Sequence, residues 1–174
     1  MRNTFIFAAL ATAFVADATA AAQACPAAID QTQLTLDYAA FDAAGWRDLL
    51  MQGCADAAIA QLEAYRGANT ATMTPDQSRE LSFHIGQTLA FSGRDSESIP
   101  PFEAARGGEE EWAAYVDATL AFLRHDGADL CAQRARYALA PGASAMRISV
   151  IDGFIACADA PYAQAVHCAL QNSH

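Results

Sequence analysis

The sequence predicts an all-α protein of stacked antiparallel helical hairpins, about four in number, over residues 37–172. Apolar residues recur at steps of three and four along most of this region, the spacing that puts them on one face of a helix. Alternation of apolar and polar residues, which is typical of strands, occurs only over residues 33–36. Residues that end helices recur at steps of 40, 34 and 32, namely Gly53, Gly93, Gly127 and Asp159. A period near 34 indicates a repeated unit of two helices.

Each predicted helix has its own group of apolar positions, and some have local start signals. Thr74 and Gln77 flank a proline with the spacing of a capping box. Pro100 and Pro101 are expected only in the first turn of a short helix, where a missing N–H costs least. The apolar positions, in chain order, are Tyr38, Phe41, Leu49, Leu50; Ile59, Leu62, Tyr65; Leu81, Ile85, Leu89, Phe91; Trp112, Tyr115, Val116, Thr119, Leu120, Leu123; Leu130, Ala138, Leu139; Met146, Val150, Ile151, Phe154, Ile155; Tyr162, Val166, Leu170.

Residues 1–24 are predicted to form a signal peptide for export. Arg2 precedes an apolar run at residues 5–15, and Ala-x-Ala patterns follow, so we expect cleavage between residues 20 and 24. The run is shorter than the roughly 20 residues that cross a bilayer, and no transmembrane span is expected in the mature chain. A core helix at the N-terminus is the alternative. The protein is thus expected to be periplasmic or secreted, with residues 25–36 as an N-terminal tail.

The five cysteines suit an exported protein, because disulfides persist in oxidising compartments. Cys131 and Cys157 lie near facing ends of two predicted antiparallel helices, so we expect a disulfide between them, with two separate buried thiols as the alternative. The pairing of Cys25, Cys54 and Cys168 stays open. Cys25 could instead carry a lipid, although the leucine usual three positions before a lipidated cysteine is absent.

Composition excludes several classes of site. The chain has 20 acidic and 10 basic residues, a net charge of −10, and every basic residue is arginine. Without lysine there is no Walker A lysine, no Schiff-base lysine and no Ser-x-x-Lys nucleophile. An acidic chain also lacks the positive surface that binds nucleic acid. Because the sequence has no H-E-x-x-H, G-x-S-x-G or G-x-G-x-x-G and no metal-ligand spacing, we expect no catalytic residue, metal or cofactor.

Residues 81–105 resemble a tetratricopeptide repeat, and the resemblance extends loosely over residues 38–171. The marker positions that are filled are Gly86, Leu89, Gly93, Phe102 and Ala105. Ser98 stands where the family has alanine, and Glu110 where it has a closing proline. The resemblance implies a right-handed α-solenoid in which Gly86 allows two helices to approach closely. It also implies that the first helix of each pair lines a concave surface that holds partners.

On that surface the resemblance places polar and aromatic side chains of two first helices. The candidate partner-binding residues are Phe83, His84, Gln87, Phe91, Trp112, Tyr115, Asp117 and Thr119. The alternative is that the aromatic residues form the core between repeats. Asp117 lies in a stretch otherwise almost free of charge, so we expect it to face the groove or to pair with His84 or Arg134. The alternatives are a solvated edge of the helix and a structural bond to a neighbouring helix.

The expected function is that of an exported, non-enzymatic protein that binds a polypeptide or cell-envelope partner through this groove. One alternative is a structural or assembly subunit of an envelope complex. Another is a hydrolase or redox enzyme that uses a cysteine with His84 and Asp117. Residues 45–47, 83–87 and 115–119 are also similar to segments of short secreted bacterial proteins of this repeat type, which implies no mechanism.

Overall fold

The structure, a computed structural model, describes residues 24–171, and this part of the chain is all-helical. The predicted signal peptide lies outside it, apart from residue 24. A 3-10 turn at Gln33–Thr35 replaces the short alternating stretch. Between residues 24 and 171, no helix combines the length and the apolar character needed to cross a bilayer. The α-helices are α1 (Tyr38–Asp42), α2 (Trp46–Met51), α3 (Ala55–Asn69), α4 (Pro75–Phe91), α5 (Asp95–Ala104), α6 (Glu110–Leu123), α7 (Gly127–Leu139), α8 (Ala145–Ala156) and α9 (Tyr162–Gln171).

Consecutive helices pack as hairpins, α2 with α3, α4 with α5, α6 with α7 and α8 with α9. Each hairpin contacts the next through α3 and α4, α5 and α6, and α7 and α8. The predicted capping box is confirmed at the start of α4: the Thr74 hydroxyl accepts from the Gln77 amide at 3.2 Å, and the Gln77 side-chain oxygen accepts from the Thr74 amide at 2.8 Å. The all-helical prediction is therefore confirmed, together with packing between helices that are neighbours in the chain.

The turns inside the first three hairpins share one backbone conformation. Each has a residue with positive φ just after the first helix: Gly53 at 80°, Gly93 at 78° and His125 at 56°. The sequence placed the third turn at Gly127, but Gly127 is the first residue of α7. In each turn the next amide donates back to a carbonyl five residues earlier, which is the bond of a Schellman motif. These bonds are Cys54 to Leu49 at 2.8 Å, Arg94 to Leu89 at 3.0 Å and Asp126 to Ala121 at 2.9 Å.

Pro100 and Pro101 lie inside α5, not in its first turn as the sequence analysis expected. Each proline lacks the N–H that would bond the carbonyl four residues earlier. Those carbonyls belong to Ser96 and Glu97, which are exposed. Water can therefore satisfy both carbonyls, and this is why α5 continues through the two prolines.

Helix α4 separates two cores. One face contributes Leu81, Ile85 and Leu89 to a cluster with the residues of α1 to α3. In that cluster the rings of Phe41 and Tyr65 are stacked 3.6 Å apart. The other face of α4 meets the larger core, whose members with no exposed surface include Phe102, Ala105, Ala114, Val116, Ala118, Leu120, Tyr137, Ile151, Phe154, Tyr162 and Ala165.

Tyr162, at the start of α9, connects hairpins that are not neighbours in the chain. Its ring lies 5.1 Å from that of Phe91 in α4 and 6.3 Å from that of Phe102 in α5. It also packs on Phe122 and Phe154. Its complete burial is the main reason why the pKa of its hydroxyl is raised. The last hairpin thus contacts the second one directly, in addition to the contacts between successive hairpins.

The disulfides are Cys25–Cys54 and Cys157–Cys168, so the expected Cys131–Cys157 pair is wrong. Cys131 is a free, exposed thiol. It lies on α7 beside Leu130, and the buried residues of that helix are Leu130 and Tyr137, so the side chain of Cys131 projects away from the core. Cys157 directly follows α8, and its Cα atom is 6.5 Å from that of Cys168 on α9 of the same hairpin.

The predicted N-terminal tail is attached to α3. Besides the disulfide from Cys25 to Cys54, the Asp30 amide donates to the side-chain oxygen of Gln61 at 2.8 Å. The Gln61 side chain donates in return to the Asp30 carbonyl at 3.1 Å. Gln61 is buried, and both polar atoms of its side-chain amide are satisfied by hydrogen bonds to this segment. Residues 25–36 therefore cover one side of the first hairpin.

Candidate functional site

Several of the predicted groove residues lie in the core between hairpins. Phe83, Tyr115 and Thr119 are only 3, 6 and 0% exposed. The Phe83 ring is 5.1 Å from that of Trp112 and 5.4 Å from that of Tyr115. Burial raises the pKa of Tyr115 to about 12. Phe83 and Tyr115 therefore join α4 to α6, and together with the buried Thr119 they belong to the core, as in the alternative interpretation of the aromatic stripe.

Other predicted residues have structural partners. Asp117 accepts a hydrogen bond from Arg106 at 2.8 Å and one from Arg136 at 3.3 Å, and so links α6 to α7 and to the end of α5. His84 and Arg134 pair with other acids, Asp42 and Asp152. The structure therefore does not bring His84 and Asp117 together. Gln87 lies beside His84, and Phe91 packs on Tyr162.

Trp112 lines a surface pocket of about 210 Å³ at the starts of α4, α6 and α8. We call this the Trp112 pocket. The indole nitrogen donates to the Ala105 carbonyl at 2.8 Å, which fixes the orientation of the ring. The ring remains partly exposed. The residues around it are charged: Asp76, Arg79, Glu80, Glu109, Glu111 and Arg147.

Acidic groups exceed basic groups in this pocket, with four carboxylates and two guanidinium groups. Both arginines are already paired, Arg79 with Asp76 and Arg147 with Glu111. Glu80 and Glu109 have no ion-pair partner within residues 24–171. The pocket therefore has unneutralised negative charge beside an aromatic ring.

The aromatic wall of the pocket already contacts one cation. The guanidinium carbon of Arg147 lies 5.2 Å from the centre of the Trp112 ring and 5.1 Å from that of Tyr115. At such distances the negative face of an aromatic ring attracts a cation. The position of Arg147 shows that this wall accommodates a positively charged group.

A second polar cluster lies next to the pocket, where the end of α1 meets α4. The Nε2 atom of His84 is 3.0 Å from Oδ1 of Asp42. Glu80 lies one helical turn before His84, and one potential ligand atom from each of the three residues falls within 4.8 Å of the other two. The Trp46 ring lies 5.0 Å from the His84 ring. We call these three residues the His84 cluster.

Neighbouring side chains orient this cluster. Arg47 donates from one nitrogen to both carboxylate oxygens of Asp42, at 2.7 and 2.8 Å. Burial alone would raise the pKa of Asp42, but His84 and Arg47 outweigh it and hold that pKa below its usual value. Tyr38 is also adjacent: burial, together with the charges of Glu80 and Asp42, raises the pKa of its hydroxyl.

Sequence reasoning selected His84 but missed Asp42 and Glu80. Glu80 and His84 are four residues apart, which places them on one face of a helix, and this was the available signal. Asp42 precedes His84 by 42 residues, and nothing local connects them. The enzyme alternative needs a free cysteine near His84, but Cys25, Cys54, Cys157 and Cys168 are all in disulfides.

Comparisons with known proteins give no indication of function. No protein-family model, no curated protein and no solved structure matches this chain.

Proposed function

We propose that this is an exported, tetratricopeptide-like, non-enzymatic protein that binds a basic polypeptide segment at the Trp112 pocket. The observation that carries the proposal is a partly exposed tryptophan beside two carboxylates, Glu80 and Glu109, that have no ion-pair partner in the described chain. A lysine or arginine of the partner would neutralise these carboxylates and pack beside the partly exposed indole ring.

Repeated local geometry supports the tetratricopeptide-like part of the proposal. The three Schellman turns recur at Gly53, Gly93 and His125, after the first helix of each hairpin. Gly86 is packed against the Phe102 ring, which matches the close approach that the resemblance implies for this position. Contact between α9 and α4 would give the stack a tighter curvature than successive contacts alone.

The disulfides support export. Bonds such as Cys25–Cys54 and Cys157–Cys168 form and persist in extracytoplasmic compartments and are rare in a reducing cytosol. They agree with the signal peptide expected at residues 1–24. In such a compartment a chain with a net charge of −10 attracts basic partners over about one Debye length.

Peptide binding to the mature chain tests the proposal. A short labelled peptide with lysines around one leucine is titrated by fluorescence anisotropy, against the same peptide with glutamates. We expect binding of the lysine peptide only, weakening as salt is added. Glu109→Gln should weaken binding about twofold to fivefold, since an exposed ion pair contributes less than about 1 kcal/mol. Glu109→Arg should weaken it more.

Asp159 offers a matched control. It is exposed, lies in the turn between α8 and α9, and is not part of the Trp112 pocket. Asp159→Asn and Asp159→Arg change the net charge by the same amounts as the Glu109 variants, and we expect them to leave peptide affinity within twofold. Equal binding of the two peptides, or equal losses at Glu109 and Asp159, would show that no specific site for a basic segment exists at the pocket.

A further inference from the structure

The His84 cluster has the ligand types of a transition-metal site. It contains one imidazole and two carboxylates, from the last residue of α1 and from one face of α4. Metal–ligand bonds of about 2.0–2.2 Å place the ligand atoms of a tetrahedral ion about 3.3–3.6 Å apart. One atom from each of Asp42, Glu80 and His84 already falls within 4.8 Å of the others. Side-chain shifts of up to about 1 Å would thus bring all three onto one ion.

One ring nitrogen of His84 faces the carboxylates. Its Nδ1 lies on the other side of the ring, 3.3 Å from the side-chain oxygen of Gln87. His84 is nine-tenths buried, and Nε2 makes no well-directed hydrogen bond although Oδ1 of Asp42 is 3.0 Å away. The ring is therefore held with a nitrogen directed at two carboxylate side chains, which is the arrangement of ligand atoms around a metal ion.

The charges around the cluster favour a cation. Arg47 neutralises Asp42, while Glu80 has no ion-pair partner in residues 24–171. The contact of Arg47 with Asp42 and that of Gln87 with Nδ1 are the kind of outer hydrogen bonds that orient metal ligands. The imidazole selects a transition metal over Ca²⁺ or Mg²⁺, which prefer oxygen ligands.

We infer that Asp42, Glu80 and His84 bind a divalent transition-metal ion of the Zn²⁺ class, with its remaining coordination positions open to water or to a bound partner. The inference goes beyond peptide binding, although Glu80 lines both places. It does not require the peptide to be a partner. Sequence reasoning expected no metal, because the three ligands come from two helices that only folding brings together.

Metal titrations of the intact mature chain test the inference. Co²⁺ is the spectroscopic probe, because its visible absorption reports low coordination number and nitrogen ligation, and Zn²⁺ competition then gives the affinity. We expect saturable Co²⁺ absorption, displacement by Zn²⁺ and no displacement by Ca²⁺. Glu80→Gln and His84→Gln should each weaken Zn²⁺ binding at least about tenfold, and Gln87→Ala about tenfold through the outer shell.

Two controls make the outcomes separable. Glu109→Gln should weaken peptide binding and leave Zn²⁺ affinity unchanged, so each proposal can fail without the other. Circular dichroism checks that every variant keeps its helices. If Zn²⁺ binds the wild type no better than Glu80→Gln, metal binding is adventitious at other histidines and the inference is wrong. It is equally wrong if nitrogen NMR shows His84 protonated on both ring nitrogens and insensitive to Zn²⁺, because His84 and Asp42 are then a simple ion pair.

Discussion

Gly86→Ala tests the close packing of α4 on α5. A Cβ atom built on Gly86 would lie 2.9 Å from Cγ of Phe102 and 3.0 Å from both of its Cδ atoms. Carbon atoms in contact are ordinarily about 3.5–4.0 Å apart, so the ring or the helix would have to move by more than about 0.5 Å. Phe102 has no exposed surface, and its ring lies 5.0 Å from that of Phe83. The ring therefore has little room to move.

The magnitude is a balance of two effects. Replacing glycine by alanine inside a helix stabilises it by about 1 kcal/mol. Overpacking a buried site destabilises a protein by about 1–3 kcal/mol, and a contact with a fully buried ring belongs in the upper part of that range. The net loss in the free energy of unfolding at Gly86 is then about 1–2 kcal/mol. For a domain of this size that lowers Tm by about 3–6 °C.

Gly67→Ala is the matched control. Gly67 is also inside a helix, near the end of α3, but a Cβ atom there meets nothing within 4 Å. We expect Gly67→Ala to stabilise the protein by about 0.5 kcal/mol. Urea unfolding followed by circular dichroism measures both variants. If Gly86→Ala is as stable as Gly67→Ala, the close approach of Gly86 to Phe102 does not limit packing and the reasoning is refuted.

Two further predictions concern backbone strain and cysteine pairing. His125→Gly should stabilise the protein by about 0.5–1 kcal/mol in the same urea assay, because His125 has a φ of 56° that glycine adopts without strain. A loss of stability would mean that the contacts of the His125 side chain contribute more than the backbone strain costs. Alkylation of the native protein, followed by peptide mapping without reduction, should label Cys131 alone and recover Cys157 linked to Cys168; recovery of Cys131 linked to Cys157 would restore the pairing expected from the sequence.

Local signals in the sequence predicted most of the helices and several of their ends, although the single stretch expected from Tyr38 to Leu50 is two helices, α1 and α2. The capping box at Thr74 and Gln77 and the turns at Gly53 and Gly93 lie where the sequence placed them. The third turn was misplaced because His125, not Gly127, adopts the positive φ, and histidine is a weak signal for that conformation. Export stays a prediction from residues 1–24, which the structure does not describe apart from residue 24.

The candidate site was predictable only in part. The sequence pointed to His84 and Trp112. His84 belongs to the His84 cluster, and Trp112 lines the pocket beside it. It also pointed to Phe83, Tyr115 and Thr119, which are buried in the core. Residues that face a core and residues that face a groove recur at the same helical spacing, so the sequence could not distinguish the two. Only the contact of α4 with α6 shows on which side those residues lie.

The sequence by itself determined that this region is helical and where several of its helices begin and end, because those depend on residues within about one helical turn of each other. The tertiary structure alone decided the contact of Tyr162 with α4, the pairing of Cys157 with Cys168, and the meeting of Asp42 with His84. These depend on how one helix is rotated and inclined against another. That orientation is set by the packing of many side chains at once, and no local spacing in the sequence encodes it.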